Sequence, residues 1–133
     1  MTDLLNALVG EWIVEARHPA FPGLVVPGRA RFEWLEGGHF LIQRAHAEHP
    51  DFPDSLWVIG DDKIHYFDSR GVQRVYEMSV DEGVWRIWRD EPGFRQRFEG
   101  RLSDSDNTFS GTWELARDDE HFENDLEIVF RRP

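Results

Sequence analysis

The sequence predicts an all-β fold: a closed antiparallel up-and-down barrel of about ten strands with a short N-terminal helix, in a single domain over residues 1–133. Three observations carry this. The stretch FRQRFEGRL from Phe94 to Leu102 alternates Phe94, Gln96, Phe98, Gly100 and Leu102 against Arg95, Arg97, Glu99 and Arg101. After the polar turn Ser103 to Asn107 the alternation resumes, with Phe109, Gly111, Trp113 and Leu115 opposed to Thr108, Ser110, Thr112 and Glu114, so the two runs make a hairpin with an aromatic inner face. Further short runs of the same kind follow one another with short turns, and closing such a meander removes edges that would otherwise aggregate. A two-sheet sandwich is the alternative.

In chain order, Thr2 to Leu8 reads TDLLNAL, a helix that Thr2 or Asp3 can cap and whose apolar face is Leu4, Leu5 and Leu8. Gly10, Glu11 and Trp12 open the first strand, which runs to about residue 18 with Trp12, Val14 and Ala16 on one side. Pro19 to Pro27 is a loop, too apolar at Phe21, Leu24, Val25 and Val26 to be purely solvated, and it is expected to fold over an opening. Arg29 to Leu35 is a strand, turned at Gly37 and Gly38 into His39 to Glu48, where Phe40, Ile42, Arg44 and His46 share a face. Ser55 to Gly60 and Lys63 to Ser69 are short strands joined at Asp61 and Asp62. Val72 to Val80 places Val72, Arg74, Tyr76, Met78 and Val80 in phase, Val84 to Arg89 leads into the central hairpin, and Phe122 to Arg131 closes the series.

Composition excludes several functions. With no cysteine the chain has no disulfide, thiolate metal site or thiol nucleophile, and a net charge of −11 opposes nucleic acid. No apolar run reaches the roughly twenty residues of a membrane span, and the first residues lack the features of a signal peptide. A cytoplasmic protein, monomeric or homodimeric and without a membrane partner, is expected.

Phase also assigns a ligand-binding interior. Phe32, Trp34, Phe40, Trp88, Phe98 and Trp113 are expected to form apolar walls, with Arg44, His46, Tyr76, Arg86 and Gln96 as polar anchors and Arg74 and Asn124 in the same inward set. So many inward polar groups suit a cavity better than a packed core, since each costs about 1–3 kcal/mol if unsatisfied. An arginine among them favours a ligand carboxylate.

His46, Glu48, His49 and Asp51 do not make a metal site, because residues three apart on a strand face opposite sides. The turns Asp104 to Asp106 and Asp118 to Glu120 lack calcium-loop spacing. No nucleophile motif is present, so the catalytic residues of an enzyme cannot be assigned.

The helix followed by Gly10, Glu11 and Trp12 resembles the start of calycin proteins, in which a Gly-x-Trp opens the first strand and its tryptophan plugs one barrel end. The succession of Gly37 and Gly38, YFDSRG from Tyr66, YEMS from Tyr76, FRQRF from Phe94, GTWE from Gly111 and DLEIVFRR from Asp125 is similar to bacterial lipocalin-like proteins across nearly the whole chain. The resemblance implies a small, largely apolar ligand inside the barrel. The strand count is also similar to that of nitrobindins, which hold haem, but their glycine-rich motif is absent because Glu11 to Glu15 reads EWIVE; no cofactor is expected. A cofactor-free isomerase, cyclase or hydrolase in the same cavity is the first alternative. A haem-binding nitrobindin-like barrel, or a structural barrel filled by its six tryptophans and ten phenylalanines, is the second.

Overall fold

In the computed structural model, which describes residues 2–133 with side chains from Leu4 onward, one helix precedes ten strands. They are α1 (Thr2–Leu8), β1 (Gly10–Arg17), β2 (Val26–Trp34), β3 (Leu41–Ala47), β4 (Ser55–Gly60), β5 (Lys63–Asp68), β6 (Gln73–Asp81), β7 (Val84–Glu91), β8 (Phe94–Leu102), β9 (Thr108–Ala116) and β10 (Glu123–Arg131). Every strand pairs antiparallel with its sequence neighbours, and β1 pairs with β10 through Ile13↔Arg131 to Arg17↔Glu127, so the barrel is closed as expected. The capping expected of Thr2 or Asp3 lies outside the described side chains. Among the described residues, no helix is long and apolar enough to cross a membrane.

The barrel has one sealed end and one open end. At the sealed end α1 buries Leu4 and Leu8 on Trp12, whose Nε1 donates to Leu8 O at 2.8 Å. Seven residues are too few to hold a helix in water, so tertiary contacts must hold it. Arg132 supplies several. Its guanidinium lies 3.7 Å from the Trp12 ring centroid, and Nη2 donates to Ala7 O at 2.7 Å and Val9 O at 3.1 Å, satisfying carbonyls left free at the helix end. Beneath this plug the interior is solid with Phe32, Trp85, Ile87, Phe98, Phe109 and Phe130. Gly100 and Gly111 face each other across β8 and β9, and the Phe98 and Phe109 rings fill the space their side chains leave.

The interior phase of β8 and β9 is the one the alternation predicts, and Arg74, Tyr76 and Met78 on β6 also face inward. Three strands differ. On β3 the inward set is Leu41, Gln43 and Ala45, in register with Trp34, Phe32 and Ala30, so Phe40, Ile42, Arg44 and His46 lie on the outer wall. Phe40 completes the turn, accepting a hydrogen bond from Leu35 N at 2.8 Å, and its ring covers Gly60 from outside. On β7, Val80↔Trp85 and Met78↔Ile87 fix the inward set, so Arg86 and Trp88 face outward. Arg86 reaches toward Glu99 at 3.8 Å. On β10 the ladder shifts between Asn124 and Leu126; this bulge turns Asn124 out beside Glu114 while Leu126, Ile128 and Phe130 stay in.

Candidate functional site

The open half of the barrel encloses a cavity of about 420 Å³. It exists because opposite walls differ in size. Ala16, Gly28, Ala45 and Ala47 on β1 to β3 present little side chain, whereas Trp57, Tyr66, Tyr76 and Trp113 stand on the facing strands. Gly28 is required for backbone approach: a Cβ there would overlap the His46 carbonyl and sit 3.2 Å from Ala47 Cα. The aromatic wall is mutually braced, with Tyr76 and Trp113 centroids 5.6 Å apart and Trp57 and Tyr76 rings inclined by only 12°. Phe98, 5.1 Å from Trp113, backs this wall from the solid core.

Five polar side chains on the inner wall reach this apolar space. Tyr76 Oη donates to Gln96 Oε1 at 3.0 Å, which leaves the Gln96 amide N–H groups unspent. Gln43 is 94% buried, the complement of its 6% exposure, and among the described residues its side chain has no hydrogen-bond partner. Arg74 likewise has no carboxylate partner among the described residues, and its guanidinium rests 5.3 Å from the Phe94 centroid and 5.9 Å from that of Tyr66. Tyr66 Oη donates to Asp68 Oδ2 at 2.6 Å.

Asp68 organises the adjoining β5–β6 turn. Its side chain is fully covered, receiving Arg70 Nη2 at 2.6 Å, Arg70 N at 2.9 Å and Val72 N at 3.3 Å. The Arg70 guanidinium beside it, with Tyr66 and these N–H groups, holds the Asp68 carboxyl far below the usual carboxylate range despite burial. Burial, reinforced by Asp68, pushes the Tyr66 phenol far above its ordinary value. Tyr66 is therefore a fixed proton donor to Asp68, and its oxygen can only accept from the cavity. Of the three arginines that line the cavity, Arg70 is spent on Asp68 and Arg29 stands exposed at the outer rim opposite His46, so Arg74 is the uncommitted cation in the inward phase.

The rim is formed by the β1–β2 and β3–β4 loops with the β5–β6 turn, including His18, Phe52 and Arg70. The apolar residues expected to fold over the opening do not do so: Phe21 and Leu24 are exposed and line a separate shallow recess, and Val26 is part of β2, where it lines the cavity. His18 Nδ1 accepts from Ala20 N at 3.0 Å and its Nε2 is 3.5 Å from Asp125. His46 touches the rim with Nδ1 2.6 Å from Asp54 and Nε2 3.4 Å from Glu48. Those carboxylates engage opposite ring nitrogens, and among the described residues no group of three His, Asp or Glu side chains is placed to hold one metal ion.

Of the eleven residues that phase points to, Tyr76, Gln96 and Trp113 line the cavity. Phe32 and Phe98 are core, and Trp34 belongs to the sealed end, where its Nε1 donates to Asn6 Oδ1 at 2.9 Å. His46 reaches only the rim, and Phe40, Arg44, Arg86 and Trp88 are on the outer wall. Sequence reasoning misses Gln43, Trp57 and Tyr66. The pairing Phe32↔Gln43↔Trp57↔Tyr66 brings them round the barrel at one level.

No family model and no curated protein matches this chain. Solved structures do. Fatty-acid-binding protein 1 of Echinococcus granulosus superposes with a TM-score of 0.68 at 14% identity, covering 96% of this chain and 98% of that one. The fold is that of a fatty-acid-binding protein. Rv2717c from M. tuberculosis superposes with a TM-score of 0.59, also at 14% identity, over 99% of this chain and 96% of that chain. At such identity the likeness is one of fold, in keeping with the calycin resemblance of the sequence motifs.

Proposed function

We propose that the protein binds a small, largely apolar molecule in the open half of its barrel. The observation that carries this reading is unspent hydrogen-bonding capacity facing an apolar space: the Gln43 amide, the Gln96 amide N–H groups and the Arg74 guanidinium line a 420 Å³ cavity without a hydrogen-bond acceptor among the described residues. These groups open on the cavity, so a ligand that accepts from them while covering the aromatic wall gains both polar and apolar contacts. The fold likeness to a fatty-acid-binding protein supports the same reading. Tyr66 and Asp68 hold fixed protonation states across neutral pH, which favours binding over proton transfer.

The test is a cavity-filling substitution. Ala45→Phe places a ring in the void beside Trp57, its diagonal neighbour on β4, and it should abolish quenching of tryptophan fluorescence by apolar ligands while the strand spectrum is retained. Undiminished binding by a folded Ala45→Phe protein would place the ligand elsewhere and refute the proposal.

A further inference from the structure

We infer that the ligand is a compact, planar aromatic acid, and that this barrel does not accommodate an extended long-chain acyl group. The inference rests on the binding reading above and concerns the shape and charge of what is bound. Along β10 the cavity runs from Leu126 to Phe130, a span of about 13 Å at roughly 3.3 Å per residue. β8 contributes only Gln96 to the lining and β9 only Trp113. Below that level Phe98 and Phe109 occupy the barrel, and they are held there by the absence of side chains at Gly100 and Gly111. A long chain has no continuation past this floor, because displacing two buried rings costs several kcal/mol. The remaining space is a slot between a wall of alanine and glycine and a wall of tryptophan and tyrosine, which suits a flat ring.

The polar groups set the charge. Arg70 is committed to Asp68, and Arg89, directly across from Gln96, is 3.6 Å from Glu91. Arg29 also lines the opening but stands exposed on the outer face, so Arg74 is the inward-facing arginine placed to meet an anion, with the Gln96 amide N–H groups on the same aromatic side of the cavity. On the opposite wall Gln43 can meet a second polar substituent on the ring. A guanidinium and an amide together satisfy the two oxygens of a carboxylate, and such charge-assisted bonds are roughly twice as strong as neutral ones.

The experiment is calorimetric titration of the whole chain with 2-naphthoic acid, its neutral isostere 2-naphthamide, and decanoic and hexadecanoic acids. The inference expects 2-naphthoate to bind at least tenfold more tightly than 2-naphthamide, and hexadecanoate to bind more weakly than both. Arg74→Ala should remove the acid-over-amide preference, and Gln96→Leu should reduce it if Arg74→Ala does not fold. Affinity rising with acyl length through hexadecanoate overturns the compact-ligand inference while leaving small-molecule binding intact. Equal affinity for naphthoate and naphthamide overturns the acid. If none of the four binds, and native mass spectrometry of the purified protein shows no bound small molecule, the binding reading fails along with the inference.

Discussion

Tyr66 and Asp68, two residues apart on the same face of β5, are joined oxygen to oxygen at 2.6 Å, and Arg70 Nη2 donates to that same Oδ2 at the same distance, while Oδ1 accepts from Arg70 N and Val72 N. The sign of the pH dependence follows from the shifts. Asp68 is depressed, so its contribution to stability is present above the ordinary aspartate pKa of about 4 and is lost as pH falls through the lower folded value. Tyr66 is raised, so its contribution is present below about pH 10 and is lost as pH rises toward the folded value. Ultraviolet absorbance of the native protein minus that of Tyr66→Phe should show no phenolate forming near pH 10. A normal phenolate titration in that difference spectrum would contradict the coupling.

Asp68→Ala removes the acceptor for Tyr66, Arg70 and Val72 and should destabilise the protein by about 1–3 kcal/mol, read from urea unfolding at neutral pH. The loss should shrink as pH falls below about 4, because the unfolded chain then binds a proton that the native carboxylate still excludes.

Arg132→Ala leaves Ala7 O and Val9 O unsatisfied and uncovers Trp12, so a loss of about 1–3 kcal/mol is expected, with a red-shifted tryptophan emission. Arg132→Lys should recover only part of it, because an ammonium cannot stack and fork at once.

Gly111→Ala sets a methyl 2.5 Å from Phe98 Cε1 and 2.8 Å from Glu99 O, with backbone on one side and a packed ring on the other. Overpacking of this kind costs about 1–3 kcal/mol, and thermal unfolding should register it as a lowered Tm.

Gln43→Leu should lower affinity for any polar-substituted ligand while leaving the urea midpoint close to that of the native protein, because the Gln43 amide opens on the cavity and has no protein partner to lose among the described residues.

What could be seen in the sequence depended on contrast between the faces of each strand. In β8 phenylalanine alternates with arginine, and only one phase buries the rings; the barrel, its helix and nearly all turns follow from segments of that quality. β3 offers no such contrast. Phe40 and Ile42 on one phase compete with Leu41 and Ala45 on the other, and the larger pair is the outer one because the inner wall there is kept small around the cavity. β7 is ambiguous in the same way, with Trp85 and Trp88 on opposite phases, and the bulge at Asp125 reverses Asn124 with no residue signal to announce it. Cavity residues were therefore harder to read than core residues: an alanine facing a void and an alanine facing water look alike along the chain.

The seam between β1 and β10 has a consequence for how the molecule assembles. Nine of the ten ladders join strands adjacent in the chain and can zip from their own turns, whereas Ile13↔Arg131 must bring together segments from opposite ends of the polypeptide. Ring closure therefore carries the largest loop-closure entropy of the ten ladders. Linking the end of β10 back to α1 and opening the chain in the Asp104–Asp106 turn would make β1 and β10 neighbours in sequence and give the longest closure to β8 and β9, with the same barrel as the expected product.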